Sequence, residues 1–154
     1  MATAGQVQDL YAKEFGPGDS FTLDFGEHLV GYLELGLRPT SSGQDSPIRL
    51  RITLAEVPSE AIDPFDPFSG GLSRSWLQDE VVNIDSLPHL MRLPRRYAFR
   101  YAKVEVVAMN NFRFGISSAK AIAITSASSF ELPKPGKELS PKLAEIDRVA
   151  LRTL

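Results

Sequence analysis

The sequence predicts an all-β fold: a jelly-roll-like sandwich of two antiparallel sheets, followed by one C-terminal amphipathic helix. Three observations carry that prediction. Apolar residues recur with a period of two in several short segments, the pattern of strands with one buried face. Clusters of Pro, Gly, Asp and Ser separate those segments, and such residues form turns. Only the last stretch changes to a helical spacing. A length of 154 residues with 43% hydrophobic and 23% charged residues suits one globular domain with a real core.

In chain order, Ser20 to Phe25 reads as a first short strand. From Leu29 to Leu37 the odd positions Leu29, Gly31, Leu33, Leu35 and Leu37 are apolar or small, with Tyr32 and Glu34 between them. Ile48, Leu50, Ile52 and Leu54 repeat the alternation, with Arg49, Arg51 and Thr53 facing out. Asp79 to Ile84, the aromatic-bearing Arg96 to Met109, Arg113 to Ser117 and Ala119 to Ala127 complete seven strands. Pro39 to Pro47 reads as a polar hairpin loop. Pro58 to Gly71 is too rich in Pro and Gly for a regular element, and a loop of that length is usually functional or mobile. Residues 1–130 form the sandwich domain, and 131–154 a Pro/Lys/Gly linker plus the helix. Ser140 is placed as N-cap and Pro141 as the first helical residue. Leu143, Ile146, Val149, Ala150 and Thr153 share one stripe. A helix of about 13 residues is marginal alone in water, so it needs a docking surface.

Composition excludes several classes. The formal net charge of −2 lacks the basic excess of a phosphate-backbone binder, so no nucleic-acid partner is expected. No segment approaches the ~20 apolar residues of a membrane span. The N-terminus has no basic start followed by an apolar run, and a cytoplasmic location is expected. The chain has no cysteine, which removes disulfides, thiolate metal sites and a Cys nucleophile. Two isolated histidines, His28 and His89, do not make a zinc site. Asp63 and Asp66 lack the spacing of a calcium loop. No Gly-rich phosphate loop or serine elbow is present, so neither metal nor cofactor is expected.

The candidate ligand-binding residues gather around Trp76, the single tryptophan. An indole face with Arg74, Gln78, Asp79 and Glu80 close in sequence, and Arg96 on a later strand, has the residue types of a sugar site. The other reading of Trp76 is a plug at one end of the core. Arg95, Arg96 and Arg100 either clamp an anion or pair with acids, since guanidinium forks suit carboxylates. The acidic run from Glu56 to Asp66 and the basic run from Met91 to Lys103 are placed to face each other or to be solvated surface. His28 and Glu56 are the candidates for catalysis, His28 because an imidazole at the turn between two strands suits proton transfer. The structural alternative puts His28 in loop packing, with Asp24 and Glu56 bonding loop backbone.

Five segments in order carry a resemblance. Leu23-Asp-Phe-Gly-Glu-His-Leu-Val-Gly-Tyr32 and Arg49-Leu-Arg-Ile-Thr-Leu-Ala-Glu56 resemble consecutive strands of the non-catalytic β-sandwich in α-L-rhamnosidase-like glycoside hydrolases. The stretches 72–80 and 95–104 resemble segments of that family's fungal branch, and 143–154 the helix leading into its α/α-toroid catalytic barrel. The sequence ends where that barrel would begin, and no position corresponds to the family's general acid or base. The resemblance thus implies an accessory domain, structural or carbohydrate-binding, without glycosidase activity of its own. It would dock to a barrel through the final helix and the strand around Arg95 to Arg100, or form a homo-oligomer. The alternative is a stand-alone, cofactor-independent enzyme that orients a small molecule in the sandwich by proximity, using His28, Glu56, Trp76 and Arg96.

Overall fold

The computed structural model of the chain describes residues 5–42, 47–62, 67–69, 71, 73–124 and 140–152. Its elements are Val7–Tyr11 (α1), Glu14–Phe15 (β1), Ser20–Pro39 (β2), Ile48–Ala55 (β3) and Pro58–Ile62 (α2), then a 3₁₀ turn at Arg74–Trp76. Gln78–Ile84 (β4), His89–Arg92 (β5), Tyr97–Met109 (β6), Phe114–Ala123 (β7) and Pro141–Arg152 (α3) follow. Every strand pairing is antiparallel, and the fold is an all-β sandwich.

One strand organises it. The first half of β2 pairs with β6, whose other edge carries β3 and then β4. Its second half lies between β7 and β5. The handover falls at Gly31, which pairs with Tyr97 of β6 and with Ala123 of β7. The two expected sheets are therefore joined by hydrogen bonds into one folded-over sheet of order β1-β7-β2-β6-β3-β4.

The predicted segments 20–25 and 29–37 are one strand because the intervening break is a local irregularity. Ladder pairing lapses between Asp24 and Leu29. There Asp24 Oδ1 accepts the Gly26 N–H at 2.8 Å, and Gly26 takes φ +84°, a conformation open to glycine at little cost. Likewise the predicted 113–117 and the start of 119–127 fall in one strand, β7, with 125–127 outside the described residues; the Ile124 N–H bonds Val30 O at 2.8 Å. Among the described residues the number of strands is still seven, because β1 and β5, too short to show a period, replace the two that merged. The Pro58–Gly71 stretch opens with a helical turn, α2, because proline is tolerated in a first turn where its missing N–H has no partner to lose. Asp63 and Asp66, most of the 39–47 loop tip and the 131–139 linker lie outside the described residues.

The alternating residues meet in one core. Leu33, Leu35 and Leu37 of β2 pack with Leu50, Ile52 and Leu54 of β3, Phe99 and Val104 of β6, and Phe114 and Ile116 of β7. Each such side chain contributes about 1.5–3 kcal/mol on burial. In α3, Ser140 Oγ accepts the Leu143 N–H at 3.4 Å, the cap expected there, and Leu143, Ile146 and Val149 are at least half exposed. Among the described residues no helix is long and apolar enough to cross a membrane.

Candidate functional site

The register of β3 leaves a gap beside its end. Its last residue, Ala55, pairs with Tyr101, and Leu54 pairs with both Gln78 and Ala102. The start of β6, Tyr97 to Arg100, therefore runs past the end of β3, while β4 begins level with Leu54. Gln78 bridges the gap: its Nε2 donates to Ala98 O at 2.9 Å and its Oε1 accepts the Ala98 N–H at 3.3 Å. Above this bridge lies a cavity of about 360 Å³ lined by Arg74, Asp79, Arg95, Arg96 and Tyr97, with Ser75, Leu77 and Gln78.

Three of the five candidate ligand residues, Arg74, Asp79 and Arg96, thus meet in one cavity. Arg74 Nη2 lies 3.6 Å from Asp79 Oδ2. Glu80 stands at its border, where one oxygen, Oε1, accepts from Arg95 Nε at 3.0 Å and from the Tyr97 hydroxyl. Arg95 also sits 5.4 Å from the Tyr97 ring centroid. Trp76 is not a core plug, being 75% exposed, and it is not among the residues lining the cavity. A 3₁₀ turn carries it beside them, with Ser73 Oγ accepting the Ser75 N–H at 3.4 Å.

Among the described residues the basic run pairs with acids of β2, β4 and β6. Arg92 pairs with Glu34 at 3.1 Å, Arg95 with Glu80, Arg100 with Asp24 at 2.8 Å, and Lys103 with Glu105 at 3.0 Å. Arg92 lies in β5, Arg95 between strands and Arg100 and Lys103 on opposite faces of β6, so each meets a different neighbour. His28 Nε2 and Glu56 Oε1 do come together at 3.6 Å, both roughly half exposed, but neither lines the cavity. Among the described residues no three His, Asp or Glu side chains gather as a metal set.

Hydrogen bonds set the charge of two carboxyls of the sheet, Glu80 beside the cavity and Asp24 away from it. Hydrogen bonds from Tyr97 and Arg95 hold the Glu80 carboxyl below its ordinary range. Those from Arg100 and the Gly26 N–H do the same for Asp24. A general acid needs its carboxyl pKa raised. Burial pushes the Tyr97 hydroxyl up. Because the folded pKa of Glu80 lies below its unfolded value near 4.5, its stabilisation is complete above that value and is lost as pH falls through the folded one. Glu80→Gln is expected to lower Tm by roughly 2–5 °C at pH 7. The gap should close as the pH falls below 4.5, and thermal melts across pH check this.

Tyr97 is the site residue that the sequence does not reveal, one of several alternating aromatics of a strand. Only the end point of β3 makes it a wall of the cavity, with Gln78 as the floor.

Known proteins have the same architecture. Residues 1–123 match the family described as glycosyl hydrolase family 78 alpha-rhamnosidase N-terminal domain. Among solved structures, the chain is similar to a rhamnosidase from Klebsiella oxytoca with rhamnose bound, at 40% identity and a TM-score of 0.85. The similarity covers 99% of this chain and 30% of that one. No curated protein matches.

Proposed function

The chain belongs to the alpha-rhamnosidase N-terminal domains of glycosyl hydrolase family 78, a non-catalytic accessory domain, and from that premise we propose that it serves an α-L-rhamnosidase as a rigid support for the catalytic part. The observation that carries this role is the extent of the likeness: nearly the whole of this chain superposes on 30% of the Klebsiella rhamnosidase. The site chemistry agrees. Glycoside hydrolysis needs two carboxyls about 5–10 Å apart, one poised to donate a proton, whereas among the described residues Asp79 is the one carboxylate lining the cavity and Glu80 is held ionised beside it. The test is turnover. The purified chain is expected to leave an aryl α-L-rhamnoside unhydrolysed.

A second reading adds to the first. Trp76 is exposed beside a polar cavity, and an accessible indole next to hydrogen-bond donors is suited to stacking on a sugar ring. This supports a carbohydrate-binding role at the 3₁₀ turn. The fungal placement is proposed on the resemblance of 72–80 and 95–104 alone, the solved neighbour being bacterial.

A further inference from the structure

Five bases lie between Met91 and Lys103, and four of them have a carboxylate partner. Arg96 is the exception: among the described residues it makes no hydrogen bond, ion pair or ring contact, yet it lines the cavity at the end of β3. Around that cavity stand three guanidinium groups, of Arg74, Arg95 and Arg96. Among the described residues two carboxylates oppose them: Asp79, on Arg74, and Glu80, on Arg95. Within this set one positive charge remains uncompensated, and it belongs to Arg96.

From this arrangement we infer that the cavity binds a carboxylated sugar, with the carboxylate on Arg96 and the ring against Tyr97 and Leu77. The inference rests on the carbohydrate-binding reading above and names the sugar class it would take. The charge balance selects a monoanion, because a dianion would exceed the single positive charge and face Asp79. The planar fork of arginine selects a carboxylate, which it binds through two parallel hydrogen bonds. A volume of about 360 Å³ lies at the small end of ligand sites, fitting a single ring. A mostly polar lining favours a polyol over an apolar molecule. The Gln78 amide, both ends of which are taken up by Ala98, fixes the floor.

The experiment titrates the intact chain with D-glucuronate and D-galacturonate, and in parallel with glucose, galactose, rhamnose and inorganic phosphate. Calorimetry and Trp76 fluorescence follow binding. The expected result is saturable uronate binding at least tenfold tighter than that of the matching neutral sugar, a difference of about 1.4 kcal/mol. It should weaken with added salt. Arg96→Gln, a substitution at an exposed residue, should weaken uronate binding at least tenfold while leaving the neutral sugars and Tm unchanged. Arg96→Lys should fall between, keeping the charge and losing the fork. Equal affinity for uronate and neutral sugar overturns the inference and leaves the carbohydrate-binding reading standing. Absence of any sugar binding overturns both. Phosphate binding as tightly as uronate, with the same dependence on Arg96, also overturns it, in favour of a general anion site. The accessory role is tested separately by turnover.

Discussion

Gly31→Ala is expected to cost about 4 kcal/mol or more, lowering Tm by roughly 8–16 °C for a domain of this size. A Cβ at Gly31 would stand 2.1 Å from the carbonyl oxygen of Ile122, 2.8 Å from its carbon and 2.9 Å from the Ala123 Cα. All three are backbone atoms, so no side-chain rotation relieves the clash. Nor can the strand shift aside, because Gly31 is held on one edge by Tyr97 and on the other by Ala123. Relief requires moving β7 off β2, which breaks ladder hydrogen bonds worth about 1 kcal/mol each. Substitutions at Gly36 and Gly115 should cost less, since most of the close atoms there belong to the side chains of Ser117, Ser118 and Arg38. Thermal melts decide it. A Gly31→Ala protein melting within about 2 °C of the parent would show that the partner switch has slack it is not expected to have.

Phe99→Ala should be the most damaging core truncation, at about 3–5 kcal/mol. Phe99 is fully buried and meets Phe25 edge-on at a centroid distance of 5.5 Å and an interplanar angle of 84°. Such aromatic pairs are worth about 0.5–1.5 kcal/mol beyond the area they bury. Its loss opens a cavity that strands hydrogen-bonded on both sides cannot close. Trp76→Ala gives the contrast. Its indole is 75% exposed, so stability should change by less than about 0.5 kcal/mol. Urea unfolding of the two variants reads the difference, and a Phe99→Ala loss below about 1 kcal/mol would mean that the core repacks around the void.

Much of the fold was legible in the sequence, for a physical reason. Leu29 to Leu37 and Ile48 to Leu54 alternate because one face of each strand is buried, and that alternation survives any arrangement of the sheet. Partner choice leaves no such trace. Nothing in the spacing of Leu33, Leu35 and Leu37 says that the strand has already changed neighbours at Gly31. Gly26 reads as a turn because glycine marks turns, yet here it marks an irregularity inside one strand. β5 has four residues, too few for a period to register.

The candidate site was legible by residue type and illegible by geometry. The residue types of Arg74, Asp79 and Arg96 mark them as binding groups, and the structure brings them to one cavity. Trp76 is their neighbour in sequence, but the turn that carries it leaves the indole outside the lining. The cavity itself depends on where β3 stops relative to β4 and β6, a long-range register that local patterns do not encode. His28 and Glu56 illustrate the converse. Residues 28 positions apart in sequence do meet, but half exposed at 3.6 Å, without the enclosed setting that makes proton transfer effective.

Turnover of an aryl α-L-rhamnoside by the purified chain, at high protein concentration and alongside the His28→Ala and Glu56→Gln variants, decides whether the domain is catalytic. Release rates equal to buffer are expected for all three proteins. Turnover above buffer by the parent chain that collapses in Glu56→Gln would contradict it, placing catalysis inside a domain assigned here to support and binding.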